Sequence, residues 1–147
     1  MTTKNIILAA TALLTVCSCT SDKDKEEIEN TARGFASCYF GCHFDEAIKL
    51  CDKESRKWIV FTATNISDDD LTVLNSSETM PQYDVKDVSV DNDSTATAIV
   101  EAKDYMKASD IDTTAVISQE DTYAFKLRKR GGKWLVSLDM VPTPTKK

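Results

Sequence analysis

Cys38, Cys42, His43 and Cys51 stand close together in the chain, and these side-chain types either ligate zinc or, for the thiols, oxidise to a disulfide. The spacing is unlike that of closed zinc sites, and adjacent ligands at Cys42 and His43 are awkward to bring to one ion, so no metal site is expected. Proton chemistry has another candidate. Asp121 shares strand parity with Tyr123 and Phe125, so it faces inward with them, where burial raises a carboxyl group toward the range of a useful base. Gln119 and Glu120 beside it argue instead for a wet stretch of strand. His43, the only histidine, falls in a turn between helices, away from any expected pocket floor. Asp91-Asn92-Asp93 begins like a calcium loop, but Ala96 and Ala102 occupy the positions that need glycine and glutamate, so it reads as a turn. No glycine-rich phosphate loop and no nucleophile elbow is present.

The elements that position these residues follow from periodicity. Ile28, Ala32, Phe35, Ala36 and Tyr39 repeat at helical spacing, with Asp24, Glu26 and Glu27 at the end where the helix dipole favours acids. Gly41 ends this helix, and Phe44, Ala47, Ile48 and Cys51 mark a second. From Lys53 to Thr64 the run Trp58-Ile59-Val60-Phe61 suits a strand as well as a buried helix. Ser67 with Asp68, Asp69 and Asp70 reads as an N-cap and acidic first turn of a short helix through Leu71 and Leu74. After Pro81 the period changes to two. Tyr83 and Val85 share one parity and Val88 and Val90 the other, which predicts a bulge near Lys86-Asp87. Ala96, Ala98, Val100 and Ala102 line one face of the next strand, and Lys107 to Asp112 form a polar loop. Tyr123, Phe125 and Leu127 line the third strand. Arg130-Gly131-Gly132-Lys133 makes a hairpin turn, and Trp134, Val136, Leu138 and Met140 give the apolar face of the last strand. Helices followed by an antiparallel meander with one apolar face make an α+β domain in which the helices cover that face.

The N-terminal segment is a separate matter. Lys4 precedes an apolar run from Ile6 to Val16, too short to span a bilayer, which is the layout of a secretory signal peptide. The run closes on Val16-Cys17-Ser18-Cys19, which resembles the bacterial lipobox, and Cys19 fits because the small Ser18 precedes it whereas the branched Val16 precedes Cys17. The resemblance implies a signal peptide over 1–18, a lipidated Cys19, an acidic tether over 19–25, and anchoring to a membrane of the bacterial envelope by more than one acyl chain. The cluster of acids and lysine after Cys19 is similar to an outer-leaflet export signal of Bacteroidetes-type lipoproteins, which implies the outer membrane and surface exposure; a solvated linker needs the same composition. An envelope location permits a disulfide, with Cys42 to Cys51 or Cys38 to Cys51 stapling the two helices, while free thiols stay open as the alternative. Asp93-Ser94-Thr95 and Asp112-Thr113-Thr114 resemble the short O-glycosylation pattern of such envelope proteins, at Ser94 and Thr113.

The body, taken as 26–141 with a tail at 142–147, is the size of one domain in a chain of 147 residues. The formal charge of -6 over the full chain and the lack of a basic stripe argue against nucleic acid as a partner. The segment "FASCYFGCHFDEAIKLC" is similar to the first helical hairpin of the NTF2-like (cystatin-like) superfamily, and "YAFKLRKRGGKWLVSLDM" to its last hairpin. The resemblance implies a curved sheet wrapped around helices, often with a conical pocket. Phe35, Tyr39, Trp58, Tyr105 and Tyr123 are the candidate lining residues, with tyrosine hydroxyls orienting a ligand. The alanine row either leaves that cavity or lets a helix approach closely. The expected function is non-catalytic: binding an apolar small molecule or an envelope protein, or pairing as a homodimer through the sheet face, with no cofactor. The alternative is a small pocket enzyme, an isomerase, cyclase or dehydratase by analogy with the superfamily, using Asp121 as base.

Overall fold

The computed structural model describes residues 21–108 and 113–146. Helix α1 (Asp22–Phe40) opens on Ser21, whose hydroxyl oxygen accepts from the Asp24 amide at 3.2 Å. The expected tether at 22–25 is therefore the first turn of α1, because serine caps the helix ahead of it. Gly41 ends α1, and a β-carbon there would stand 2.7 Å from the Ser37 carbonyl oxygen, so only glycine fits. Cys42, at φ 60°, completes the turn into α2 (Phe44–Lys49). After a 3-10 turn at Lys53–Ser55, the ambiguous run is helical: α3 (Arg56–Asn65). Helix α4 (Asp68–Ser76) carries the full capping box between Ser67 and Asp70.

The strands β1 (Gln82–Asn92), β2 (Thr95–Lys107), β3 (Val116–Arg130) and β4 (Lys133–Ser137) form one antiparallel sheet in that order. The bulge stands where the parity change requires it, between Val85 and Asp87. Gly131 and Gly132, at φ 56° and 80°, make the two-residue hairpin turn whose left-handed backbone matches the strand twist. Strand β4 is shorter than its apolar alternation suggests: it stops at Ser137, and Met140 is exposed.

Helix α1 lies on the inner face of the sheet. Its buried Ile28, Ala32, Phe35 and Ala36 join Ala96, Ala98, Val100 and Ala102 of β2 and Phe125 and Leu127 of β3 in one core. The alanine row admits the helix. At the start of α1, Trp134 Nε1 and Lys129 Nζ donate to Asp24 Oδ1 at 2.9 and 3.0 Å, and the Trp134 amide donates to Glu27 at 3.0 Å. Beyond α2 the chain runs beside β4: Val136 N donates to Leu50 O and Asp52 N to Val136 O, both at 2.9 Å. Ser55 Oγ donates to Asp52 and accepts from Leu138 N at 2.7 Å, so the 3-10 turn is locked to the sheet. The expected tail is also fixed: Thr145 donates to Thr122 O through its amide at 2.8 Å and its hydroxyl at 3.1 Å.

Strand β2 has one irregularity that reaches the site. Inward residues fall on even numbers through Ala102, then Asp104 adopts φ 48° and Tyr105 turns inward instead. Aspartate tolerates this left-handed conformation better than most residues.

Candidate functional site

A cavity of about 660 Å³ opens at the end of the molecule away from the Asp24 clamp. The α1–α2 turn supplies Tyr39, Phe40, Cys42 and Phe44 to its wall. Phe61 and Thr62 of α3, with Ile66 and Asp70, supply another side. Met106 and Lys107 end β2 against it, and Tyr123 joins them from β3. Val141 to Pro144 form a further wall, held there by the Thr145 contacts to Thr122. The lining joins aromatic and aliphatic side chains to polar ones, among them Thr62, Asn65, Asp70, Lys107 and Thr143, a wall that can hold an apolar body and orient it through polar groups.

Of the five residues expected to line a pocket, the structure brings Tyr39 and Tyr123 to this one. Phe35 is core instead, between Tyr39 (stacked, ring centroids 5.6 Å apart) and Phe125 (edge-on, 5.3 Å). Trp58 lies on the helix face beside Lys57, whose ammonium sits 5.0 Å from its ring, and it does not reach the lining. Tyr105 is wholly buried and stands outside the lining, edge-on to Phe40 and Tyr123. The three small alanines of β2 line no part of the cavity.

Tyr105 nevertheless bears on the site. Its hydroxyl donates to Asp121 Oδ2 at 2.7 Å and lies 2.6 Å from the Tyr123 hydroxyl. The same Asp121 oxygen accepts from Ser118 Oγ at 2.6 Å and Lys107 Nζ at 3.3 Å. Burial works to raise the Asp121 carboxyl, but these donors outweigh it and hold the group below the ordinary carboxylate value. That corrects the expectation of a raised base: the parity was read rightly, but the donors come from Tyr105 and Lys107 of β2, beyond the irregularity at Asp104, and from Ser118 of β3, which no local pattern announces. Burial also pushes the Tyr123 phenol, like that of Tyr39, up to about 12. Tyr39 shares a hydrogen bond of 2.7 Å with Thr62.

Asp70 is the functional-site residue whose wider role sequence reasoning missed. Its Oδ2 accepts from the Ser67 amide and hydroxyl at 2.8 and 2.9 Å, and its Oδ1 accepts from the Ala115 amide at 2.7 Å. Backbone hydrogen bonds from Ser67 and Ala115 lower its carboxyl despite its burial. The capping motif was visible, but the tie to the β2–β3 connection was not. Asp70 thus joins α4 to the cavity mouth.

The three described cysteines are free thiols. Cys42 lines the cavity, whereas Cys51 lies past the far end of α2 in a bridge with Val136, its thiol donating to Ile48 O. Six helical residues separate the two by about 9 Å along the axis, more than the Cα spacing a disulfide spans. Cys38 packs partly buried against the core. Burial raises all three thiols, Cys51 to about 11, so they are protonated and poorly reactive at neutral pH. His43 caps α2 without a side-chain bond, and among the described residues no group of three potential metal ligands converges. Ser94, at the β1–β2 turn, and Thr113, at the cavity mouth, are both exposed, as attachment of a glycan would require. Cys19 lies outside the described residues. No helix among the described residues is long and apolar enough to cross a membrane.

No protein-family model and no curated protein matches the chain. Among solved structures it is similar to a ketosteroid isomerase-like protein from Erwinia carotovora atroseptica SCRI1043, with a TM-score of 0.53 at 13% identity, over 79% of this chain and 92% of that one. Helices followed by a curved four-stranded antiparallel sheet give this chain the ketosteroid isomerase-like, or NTF2-like, α+β fold.

Proposed function

We propose that this protein is a lipid-anchored domain of the bacterial envelope that holds a small, largely apolar molecule in its cavity without transforming it. The observation that carries the reading is the cavity itself: about 660 Å³, walled by Tyr39, Phe40, Phe44, Phe61, Met106 and Tyr123. A non-catalytic role is supported by the state of the carboxylates. Asp70 is occupied by three backbone and hydroxyl donors, and Asp121 is held ionised outside the lining, so neither is a raised base in contact with a bound molecule.

Anchoring rests on the residues around Cys19. With the lipid there, only Thr20 separates it from the cap of α1 at Ser21, and the cavity opens near the other end of that 19-residue helix, about 28 Å away. The cavity would then face away from the bilayer and draw its ligand from water or from a partner.

Native mass spectrometry of the exported protein, compared with its denatured mass, tests the binding reading. Extra mass present only in the native state is expected, and a bare protein in every preparation would overturn it. The same spectrum gives the oligomeric state, since the outer sheet face around Thr97, Ile99 and Glu101 is the surface through which a second copy would pair.

A further inference from the structure

The tyrosine chain behind the cavity has a direction. A phenol carries one proton and two acceptor lone pairs, and an ionised carboxylate can only accept. Asp121 is in the ionised form by its contacts alone: Oδ2 receives Ser118 Oγ at 2.6 Å, Tyr105 Oη at 2.7 Å and the Lys107 ammonium at 3.3 Å. The single proton of Tyr105 is therefore committed to Asp121. The 2.6 Å contact between the two phenols then exists only if Tyr123 donates to Tyr105. Tyr123 is the member of this chain that lines the cavity, and its proton is already spent on the far side.

The second phenol in the wall, Tyr39, shares a 2.7 Å hydrogen bond with Thr62 Oγ1, which also lies 3.2 Å from the Trp58 carbonyl, so a proton of this pair, from either hydroxyl, is spent on their own contact. Asp70, also in the wall, is an acceptor already supplied by Ser67 and Ala115. The lining cation, Lys107, has a side chain 37% exposed and stands at the rim, where it is tied to Asp121.

We infer that Tyr123, at the buried end of the cavity, offers a ligand an acceptor and no proton, and that an apolar molecule seated against it is preferred with a hydroxyl or N–H donor over one of the same shape bearing only a carbonyl or ether. This rests on the ligand-binding reading above and names the class of ligand. Asp121 acts as a positioning residue: it never meets the ligand, yet its charge sets which way the Tyr105 and Tyr123 protons point.

The test uses 2-naphthol, 2-methoxynaphthalene and 2-acetylnaphthalene as probes, titrated into the full chain by calorimetry and followed by the Tyr123 ring resonances. 2-Naphthol is expected to bind about tenfold or more tightly than either acceptor-only probe, since a partner left unpaired in a buried site costs the full desolvation of that group. Asp121→Leu removes the acceptor of the Tyr105 proton, which lets Tyr105 donate to Tyr123 instead and frees the Tyr123 proton for the cavity. Tyr105→Phe frees the same proton by removing its acceptor and serves as the second variant should Asp121→Leu fail to fold. In either variant the preference should vanish or invert toward 2-acetylnaphthalene, a change that loosened packing alone would not produce. Equal affinities in the wild type, or a preference unmoved by both variants, would overturn the inference while leaving the binding reading standing. If none of the probes shifts the Tyr123 resonances, the binding reading fails and takes this inference with it.

Discussion

Trp134 Nε1 donates to Asp24 Oδ1 at 2.9 Å, closing the start of α1 onto the last hairpin across 110 residues of sequence. Lys129 completes the clamp from the same carboxylate oxygen and also sits 5.7 Å from the Trp134 ring. Asp24→Ala is expected to lower the thermal midpoint by a few degrees and to leave the indole without its acceptor. The accompanying signature is faster hydrogen exchange at the Trp134 indole and in the first turn of α1, with the cavity-side amides unaffected.

Two glycines in the helical hairpin should respond oppositely to alanine. At Gly41 the new β-carbon meets the Ser37 carbonyl oxygen at 2.7 Å, a backbone atom that cannot yield, so Gly41→Ala should cost roughly 1–3 kcal/mol. At Gly34 the contact is the tip of Leu50 at 3.3 Å, a side chain that can turn aside, and alanine improves helix propensity by up to about 1 kcal/mol. Gly34→Ala should be neutral or stabilising. Urea midpoints of the two variants decide this.

Stability should fall at both extremes of pH. Asp70 and Asp121 have folded values below their ordinary 3.8, so the stability they contribute is complete above that value and is lost as pH falls through the folded values. Asp70→Asn should flatten the acid limb of a stability–pH curve. Tyr39 and Tyr123 shift the other way, to about 12, so their contribution is complete below about 10 and disappears as pH rises toward 12. The ultraviolet band of tyrosinate should therefore appear together with unfolding; its appearance at the free-tyrosine pH in an intact fold would contradict this.

Cys17 and Cys19 should separate cleanly in the full chain expressed in a bacterial host. Cys17→Ala should leave the protein in the membrane fraction with a lipidated N-terminus, and Cys19→Ala should release it. If both variants remain membrane-bound, the anchor is not at Cys19.

What the sequence disclosed was local. The alternation of Ala96 to Ala102, the parity break that demanded a bulge after Val85, the glycine pair of the hairpin and the Ser67–Asp70 cap each depend on neighbours a few residues apart, and each was found where expected. The cavity depends on pairings that no period records. Tyr39 and Tyr123 were foreseen in its wall, but Cys42, Phe61 and Val141 to Pro144 reach it through turns whose directions are set by tertiary packing. Asp121 was placed on the correct face and given the wrong acidity, because Tyr105 comes to it from the neighbouring strand only after Asp104 has turned that strand over. Of the two thiol states left open by the sequence, the described cysteines are free, and the stretch after α2 is tied to the sheet through Asp52, Ser55 and β4.

The left-handed turn at Asp104 divides one strand into two territories. Up to Ala102 every inward residue of β2 is pressed against α1, and a change there disturbs the core on which folding depends. Past Asp104 the strand delivers Met106 and Lys107 to the cavity. Tyr105 stays in the core against Phe40, but Met106 and Lys107 can be rewritten while the first territory stays fixed, so new ligand preferences are within reach of one or two substitutions that leave the helix–sheet interface intact. A chassis and a changeable fitting share a single strand, and one aspartate marks the join.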